Sequence, residues 1–391
     1  MMKNLYKKIF KELKSNILKV AKNNKNLHDP YFDKNEIKVL NQNIKNTFVS
    51  TAGINRKIFE RKISHFVNSK YAIAVNSGTE ALKLSLLALD IKKNDEVLVP
   101  SLTFIGSVNA ITYCGANPHF IDVKLNDIIL DDQKLIKYLE QTTYSKDGYT
   151  FNKKTKRRIF AIIPVHLFGQ FVNIINLRSK LKKYNIKILE DAAEALGSRF
   201  KKKHFGTFGD IGILSFNGNK IVTTGGGGAI ITNKKKYFDK AYKLANVGKK
   251  TSSIKLEHDV IGFNSLMPAL NASLGIAQFK KLNKFIKKKR GIHNLYFKSF
   301  LKSEYFNLYK ENKDVKSNYW LQCIIIEKKF ANYRDDLIKD LQKDKITTRP
   351  VWHPIHLLKP YKKCTKMNLL NTMKIFQRLI TLPSSVNTHS K

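Results

Sequence analysis

The feature that most constrains the fold is a series of short, continuous apolar runs between residues 55 and 235. Examples are KYAIAV, EVLVP, IFAIIPV, IKILE and IGILSF, and stretches with helical periodicity lie between them. Polar residues do not alternate with apolar ones inside most of these runs, as expected of strands that are buried on both faces of a mainly parallel sheet. The pattern predicts an α/β fold in which helices sandwich that sheet.

A different pattern begins after about residue 246. A lysine-rich helix is predicted from Leu270 to about Arg290, followed by the strand YWLQCIIIE, a further helix and a polar, proline-containing tail. We therefore predict an N-terminal helical segment over 1–45, a large α/β domain over 46–250 and a small α+β C-terminal domain over 251–391. Within the large domain, the charged segment YTFNKKTKRRIF is predicted to be an exposed connection.

The N-terminal segment predicts an amphipathic helix that could join the small domain. Its apolar face consists of Leu5, Ile9, Phe10, Leu13, Ile17 and Leu18. Charged residues interrupt this segment every few positions, so it lacks the continuous apolar core of a signal peptide, and no run elsewhere has the length of a membrane span. The three cysteines are widely spaced and form no metal-ligand pattern. These features favour a cytoplasmic protein without a structural metal.

The net charge of +42, from 72 Lys and Arg against 30 Asp and Glu, raises the possibility of a nucleic-acid or membrane partner. The basic residues are mostly Lys, however, and Arg is the side chain whose rigid fork recognises phosphates and base edges. They also form scattered short patches, such as Lys201–Lys203, Lys234–Lys236 and Lys287–Lys289. We interpret the charge as a solvated surface that helps to attract an anionic small substrate, and keep a nucleic-acid-binding protein as an alternative.

Lys220 is the first candidate for a catalytic residue. It follows the buried run IGILSF in a polar turn, and four consecutive glycines, 225–228, precede the next apolar run. Consecutive glycines mark a tight turn or a close approach of the backbone to another group. A lysine between two apolar strands is partly desolvated, which favours a nucleophilic amine that can form an imine. The alternative is a surface lysine in a glycine-rich hairpin.

Two upstream segments supply further candidates. In IKILEDAAEALGS, the carboxylates of Asp191 and Glu194 follow the end of a predicted strand, which is where ligands bind in open α/β sheets. Asp191 could hold a pyridinium nitrogen in its protonated form, or it could be a helix N-cap. In AIAVNSGTEALKL, residues 77–79 open a helix whose free N–H groups could bind a phosphate, although Ser77 could also be an ordinary cap. Neither a Walker loop nor a GxGxxG turn is present.

Six segments occur in an order that resembles the DegT-type sugar-nucleotide aminotransferases. They are NSGTEAL, PSLTF, PVHLFGQ, EDAAEALGS, SFNGNKIVTTGGGGAI and GFNSLMPALNASLGIAQ. The resemblance covers about residues 46–385 and implies a fold-type-I pyridoxal-phosphate enzyme, similar to aspartate aminotransferase, with a mainly parallel seven-stranded sheet. The flanking strings NTFVSTAG, NYWLQC and TRPVWHPIH look more specifically like the legionaminic-acid-pathway branch.

The resemblance assigns a role to each matching residue. Lys220 matches the lysine that carries pyridoxal 5'-phosphate as a Schiff base, and Asp191 matches the partner of the ring nitrogen. The positions that match the phosphate site are Gly78, Thr79 and Ser215. Phe104 matches the aromatic residue that stacks on the cofactor, and the positions that match residues lining the ring are His166 and Glu194. Asn264 matches an asparagine that reaches the phosphate from the neighbouring subunit, which implies a homodimer with shared active sites. The segment that tends to contact substrate contains Arg349 and His356.

The resemblance implies transfer of an amino group from L-glutamate to a nucleotide-linked keto sugar. The expected substrate is a UDP-linked 4-keto-6-deoxy sugar that is aminated at C4, for cell-surface glycan or nonulosonate biosynthesis; the alternative is amination at another keto position. Relatives that dehydrate sugars have a histidine at the position of Lys220, so the lysine favours amino transfer. Ser265 and Leu266 stand where many relatives have an aromatic–Arg pair, and Gly226 replaces a frequent Glu. With Ser265 and Leu266 at these positions, the chain lacks the Arg side chain that would contact the substrate or the neighbouring subunit.

Overall fold

The computed structural model of the protein describes residues 2–125, 127–250 and 257–389. Within these residues the strands are β1 (Tyr71–Val75), β2 (Glu96–Pro100), β3 (Asn117–Ile121), β4 (Thr143–Lys146), β5 (Tyr149–Asn152), β6 (Ile159–Ile162), β7 (Lys187–Asp191), β8 (Arg199–Phe200), β9 (Lys203–His204), β10 (Ile211–Ser215), β11 (Gly228–Thr232), β12 (Phe306–Leu308), β13 (Val315–Lys316), β14 (Gln322–Ile326), β15 (Arg349–Pro350) and β16 (Leu379–Leu382).

The α-helices of the same residues are α1 (Met2–Val20), α2 (Lys34–Lys45), α3 (Ile54–Val67), α4 (Gly78–Ala88), α5 (Ile105–Tyr113), α6 (Asp132–Thr142), α7 (Ile174–Leu181), α8 (Lys235–Ala245), α9 (Ala269–Phe279), α10 (Leu282–Phe300), α11 (Arg334–Lys343) and α12 (Leu370–Phe376). Short 3-10 helices are Leu167–Gly169, Lys182–Tyr184, Lys328–Tyr333, Ile355–Leu357 and Lys359–Tyr361. None of the helices in the described ranges combines the length and hydropathy that spanning a bilayer requires.

A seven-stranded sheet with the spatial order β1-β11-β10-β7-β6-β2-β3 forms the centre of the molecule. Strand β11 runs antiparallel to both of its neighbours, β1 and β10, whereas the other neighbouring pairs are parallel. Every residue of β2, β6, β10 and β11 is buried, as the continuous apolar runs predict. The predicted fold class, a mainly parallel sheet between helices, is confirmed.

The carboxyl ends of the parallel strands meet at one edge of this sheet. Helix α4 begins three residues after β1, and its N-cap Ser77 accepts the N–H of Glu80 through the side-chain oxygen at 3.1 Å. Helix α5 begins similarly soon after β2. Helix N-termini and polar turns are thereby gathered at the edge where ligands bind in open α/β sheets.

A second hydrophobic core lies around a four-stranded antiparallel sheet, β12-β14-β16-β15. Helix α1 packs against α10 and places Ile9, Leu13 and Ile17 in this core, where all three are fully buried. The N-terminal helix and the C-terminal strands therefore share one core. Helix α9, by contrast, packs on α2 and α3, and its Ala272 joins the core around the central sheet. The domain limits given above remain predictions.

Candidate active site

A cleft of about 420 Å³ opens at the carboxyl edge of the central sheet. Its walls come from the start of α4, the segment around Phe104, the end of β7 and the connection between β10 and β11. The C-terminal part of the chain adds Trp320 and Trp352. The predicted site residues that line the cleft are Gly78, Thr79, Phe104, Asp191, Glu194, Ser215, Lys220 and Arg349.

Lys220 lies in the turn after β10, where its backbone N–H donates to the Asn217 carbonyl at 2.9 Å. Its side chain is only 12% exposed, and Nζ lies 3.4 Å from Oε1 of Glu194. The same nitrogen is 3.8 Å from the ring centroid of Trp320. The amine therefore points into the cleft beside a carboxylate and the face of an aromatic ring.

Glu194 is buried, and its Oε2 accepts the Phe168 N–H at 2.8 Å. Burial raises the pKa of Glu194, and the positive charge of Lys220 opposes that shift. Phe168 has φ of 52° and ψ of 24°, a left-handed conformation that non-glycine residues rarely adopt. This strained residue donates its N–H to the carboxylate, so the local backbone conformation supports the position of Glu194.

Asp191 is the last residue of β7, and its side chain reaches the cleft while remaining buried. Its Oδ2 accepts the hydroxyl of Ser107 at 2.6 Å, and its Oδ1 accepts the Ala193 N–H at 3.0 Å. Two donors from different elements thus hold the carboxylate in one orientation. A carboxylate that is fixed in this way at the end of a strand is suited to bind one protonated ring nitrogen of a ligand.

The start of α4 forms an anion site opposite Ser215. Within the described part of the chain, the N–H groups of Gly78 and Thr79 have no acceptor, and helix N-termini of this kind bind phosphate. A Cβ atom at Gly78 would lie 3.0 Å from Cβ of Ser215, so glycine keeps this part of the cleft open. The residues that the sequence predicts for phosphate binding therefore lie together.

Phe104 stands at the rim of the cleft as the N-cap of α5 and is 51% exposed. Its ring meets that of Trp352 edge to face at 6.3 Å. An exposed aromatic ring at this position offers a surface on which a flat ligand can stack.

His166 is a predicted site residue that does not line the cleft. It is fully buried, and its Nε2 lies 2.9 Å from Oε2 of Glu190. Adjacent residues of a strand point to opposite faces, so Asp191 faces the cleft while Glu190 faces the interior, where it pairs with His166. Glu190 also accepts the N–H groups of Gly206 and Phe208 at 2.9 and 2.6 Å, which indicates a structural network.

Asn264 and His356 also lie outside the cleft of this chain. Asn264 is exposed and forms an isolated bridge with Asn246, so it is available to a neighbouring molecule. His356 is buried, and its Nδ1 lies 2.7 Å from the hydroxyl of Ser101. Burial lowers the pKa of His356 below its ordinary value. Of the two predicted substrate residues, only Arg349 reaches the cleft.

The site also contains residues that were not predicted from the sequence. Ser107, which orients Asp191, lies in the first turn of α5 shortly after the segment PSLTF. Trp320 and Trp352 are the only two tryptophans of the chain, and both lie in the strings NYWLQC and TRPVWHPIH that carry the narrower resemblance. The presence of both tryptophans in those strings was a signal that they contribute to the site.

The two departures from the family pattern, Ser265 with Leu266 and Gly226, lie in different surroundings. Ser265 donates its hydroxyl to Glu80 of α4 at 2.6 Å and is buried, and Leu266 is buried against β1. These side chains pack inside the chain and do not enter the cleft. At Gly226, a Cβ atom would meet only the Asn76 carbonyl oxygen, at 3.7 Å, so the turn has room for a side chain there.

This arrangement fits pyridoxal phosphate. An amine, an oriented carboxylate, a helix N-terminus with unpaired N–H groups and an exposed aromatic ring all line one cleft. They provide the attachment point, the partner of the ring nitrogen, the phosphate site and a stacking surface that this cofactor requires. Among the described residues, no group of three His, Cys, Asp or Glu side chains is arranged to hold a metal ion.

Comparisons with known proteins identify the family of the chain. Residues 30–391 match the model of the DegT/DnrJ/EryC1/StrS aminotransferase family. GDP-perosamine synthase of Vibrio cholerae is 34% identical over 359 residues, which cover 92% of this chain and 93% of that protein. The UDP-4-amino-4,6-dideoxy-N-acetyl-β-L-altrosamine transaminase of Campylobacter jejuni (serotype O:23/36) is 31% identical over 354 residues, 90% of each chain.

Solved structures show the same fold. Helicobacter pylori PseC, an aminotransferase involved in pseudoaminic acid biosynthesis, superposes with a TM-score of 0.82 at 24% identity and covers 92% of this chain and 94% of its own. The PLP-form of a putative sugar aminotransferase from Streptococcus pneumoniae has a TM-score of 0.81 at 24% identity, with 92% and 93% coverage.

The chain belongs to the DegT/DnrJ/EryC1/StrS aminotransferase family. It is a pyridoxal-phosphate-dependent sugar aminotransferase. The family, the enzyme class and the cofactor predicted from the sequence are confirmed.

Proposed function

We propose that the enzyme transfers the amino group of L-glutamate to C4 of a nucleotide-linked 4-keto-6-deoxy sugar, with UDP as the expected nucleotide. The observation that carries the proposal is the cleft in which Lys220, Asp191 and the N-terminus of α4 lie together. The Campylobacter relative is named for a UDP-linked 4-amino-4,6-dideoxy sugar. That name supports amination at C4 and UDP as the nucleotide. The Vibrio relative acts with a GDP-linked sugar by its name, so the nucleotide needs a direct test.

The residues of the cleft divide the chemistry among them. When bound, pyridoxal phosphate supplies a ring that withdraws electrons from the carbon that carries the amino group. Asp191, oriented by Ser107, would hold the ring nitrogen, and the start of α4 with Ser215 would hold the phosphate. Phe104 would stack on the ring.

Lys220 would attach the cofactor. Its Nζ would then carry a proton from the α-carbon of the amino donor to the cofactor carbon that bears the amino group. Glu194 lies 3.4 Å from that nitrogen and is placed to receive or return a proton. The side chain of Arg349 lines the cleft and has no carboxylate partner among the described residues, so it would bind an anionic group of a substrate. Glutamate would leave as 2-oxoglutarate.

We propose that the reaction serves nonulosonate biosynthesis, as in the legionaminic-acid branch, or another cell-surface glycan. The strings NTFVSTAG, NYWLQC and TRPVWHPIH support the first assignment. We also propose a cytoplasmic location, which is supported by three cysteines that form no disulfide with one another.

We propose a homodimer in which Asn264 completes the partner's active site. Large apolar side chains are exposed on and after α2: Ile37 61%, Ile44 60%, Phe48 61% and Ile54 58%. Ile261, three residues before Asn264, is 93% exposed. Exposed apolar surface of this extent is typical of an interface.

A hybrid experiment tests the shared site. Lys220→Ala and Asn264→Ala proteins should each be impaired, but a mixed dimer contains one site with both defects and one site with neither. Activity should therefore return when the two variants are unfolded together and refolded. A monomer by light scattering, or a mixture no more active than its components, would contradict shared sites.

The proposed reaction is tested with a panel of keto-sugar nucleotides that vary the nucleotide and the keto position, with ¹⁵N-labelled glutamate as donor. We expect release of 2-oxoglutarate with one class of sugar and ¹⁵N at C4 of the product by NMR. Lys220→Ala protein should be inactive and lack the absorbance band of lysine-bound cofactor, whereas Lys202→Ala, at an exposed lysine outside the cleft, should match the wild type. Label at another carbon would refute C4, and a wild-type protein that neither binds the cofactor nor uses any sugar would refute the whole proposal.

A further inference from the structure

We propose that Trp320 is a positioning residue for Lys220, whose ammonium its indole face holds whenever the amine is not bonded to the cofactor. This inference rests on the proposed function, which assigns Lys220 as the attaching amine. Nζ of Lys220 lies 3.8 Å from the ring centroid of Trp320. A cation at that distance over an indole is attracted to the negative face of the ring, and the attraction is strongest where water is excluded.

The ammonium group of Lys220 has fewer hydrogen-bond acceptors among the described residues than it has donors. An ammonium group has three donors, and within the described residues Nζ has one acceptor, Oε1 of Glu194, at 3.4 Å. The side chain is 12% exposed, so water reaches it poorly. The indole face therefore supplies the favourable contact that further acceptors would otherwise give.

Trp320 is fixed at three points, so its ring is a preformed surface. Its Nε1 donates to the Asn219 carbonyl at 2.7 Å, and its backbone N–H donates to Oδ1 of Asn318 at 2.9 Å. Its carbonyl accepts Nζ of Lys289 at 2.6 Å. Because Asn219 directly precedes Lys220, the first bond ties the indole to the same turn that carries the amine.

Two buried ionisable side chains, Lys289 and His28, lie near Trp320. Lys289 is fully buried, and burial lowers its pKa well below the ordinary value. The ring centroid of His28 lies 6.3 Å from that of Trp320, and burial lowers the pKa of His28, as does the nearby charge of Lys220. In the described part of the chain neither nitrogen of His28 has a hydrogen-bond partner. Both shifts favour the uncharged form of these side chains, which reduces their repulsion of the Lys220 ammonium.

This arrangement has a consequence for catalysis. When the amino donor displaces Lys220, the freed amine must stay beside the reacting carbons to move a proton between them. The contacts to Trp320 and Glu194 keep it there, in contrast to a flexible lysine that would turn toward solvent. Trp320 acts through Lys220 and is not itself a proton carrier.

The first test uses protein without cofactor. Trace acetylation followed by mass spectrometry measures how readily the Lys220 amine reacts in wild type, Trp320→Leu, Trp320→Phe and the control Trp352→Leu. Trp352 stacks on Trp320 with a centroid distance of 6.4 Å, whereas the cation–π contact of Nζ within the described residues is with Trp320. We expect labelling of Lys220 to rise about tenfold in Trp320→Leu, to rise less in Trp320→Phe, which keeps an aromatic face, and to change little in Trp352→Leu.

The second test uses protein loaded with cofactor and follows the half-reaction with glutamate by absorbance. Trp320→Leu should react about tenfold more slowly or worse, with unchanged affinity for glutamate and a larger kinetic isotope effect from deuterium at the α-carbon. Loss of folded protein would reduce the amplitude and leave the isotope effect unchanged.

The outcomes separate this inference from the proposed function. Equal labelling of Lys220 in wild type and in both Trp320 variants, with native circular dichroism, would overturn the positioning role. An unchanged rate and isotope effect in Trp320→Leu would do the same. If labelling rises as expected but no sugar is aminated, the contact between Trp320 and Lys220 stands and the proposed function fails.

Discussion

The floor of the cleft and its rim differ in how firmly their side chains are held. On the floor, Asp191 and Glu194 are buried, and each accepts a hydrogen bond from the backbone of a neighbouring segment. On the rim, Arg349 is exposed and its guanidinium has no carboxylate partner within the described residues, while Phe104 is half-exposed. The floor is therefore preorganised before any ligand binds, whereas the rim is not.

This difference matches a division between chemistry and specificity. Catalysis benefits from groups that need no reorganisation when the reaction occurs, and the floor residues meet that condition. The rim combines Arg349 and Trp352, from the C-terminal part of the chain, with Phe104 at the start of α5. Two relatives of this chain are named for a GDP-linked and a UDP-linked sugar.

The largest effect is expected on the floor, at Asp191. Asp191→Asn keeps the size of the side chain and an oxygen that can accept the Ala193 N–H, but removes the charge that the ring nitrogen requires. We expect kcat to fall about 10²- to 10³-fold, with little change in KM. Ser107→Ala, which removes only the orienting hydroxyl, should cost much less. A near-normal kcat in Asp191→Asn would show that the floor is not the source of the chemistry.

A rim substitution should affect binding instead. Arg349→Met removes the guanidinium and keeps an extended apolar side chain, so an anionic substrate group loses its charged partner. We expect the KM of one substrate to rise about ten- to a hundredfold with kcat nearly unchanged. Varying glutamate and the sugar nucleotide separately identifies which one Arg349 binds. A fall in kcat without a change in either KM would place Arg349 with the floor residues.

Several site residues could be predicted from the sequence because local features mark them. Lys220, Asp191 and Gly78 each stand at or shortly after the end of an apolar run, and the carboxyl ends of parallel strands meet at one edge. Trp320 could not be placed in this way. Its bond to Asn219 joins residues 101 positions apart, and nothing in the local sequence indicates that contact.

Two structural details that the sequence does not reveal have a physical explanation as well. His166 forms a buried pair with Glu190, which faces away from the cleft because it is adjacent to Asp191 in β7 and neighbouring strand residues alternate between faces. The order of residues in the sequence does not show which face lines the cleft. The segment YTFNKKTKRRIF, predicted to be an exposed connection, includes β5, and its Asn152 is buried and donates to Glu96 at 2.9 Å. A charged stretch can therefore supply one polar residue to a buried network that its composition does not reveal.

The smallest expected effect is on the pH dependence of the free energy of unfolding. It is expected for a substitution of Glu194, on the floor, and not for one of Arg349, on the rim. Because the pKa of Glu194 is raised in the folded protein, the native state binds more protons than the unfolded state between the ordinary Glu pKa and the raised one. Glu194 therefore stabilises the fold less as the pH rises through that window. Its burial costs free energy once the carboxyl ionises, and the charge of Lys220 compensates only part of that cost.

Glu194→Gln removes the titration and keeps an oxygen that can accept the Phe168 N–H. We expect the Tm of the cofactor-free variant, relative to wild type, to increase as the pH is raised from just below the ordinary Glu pKa toward neutrality. Arg349→Met, a substitution at the rim, should show a constant difference from wild type over the same range. Thermal unfolding followed by circular dichroism at several pH values makes the comparison. Parallel curves for all three proteins would mean that the carboxyl of Glu194 titrates normally, and the floor would then be less withdrawn from water than its burial indicates.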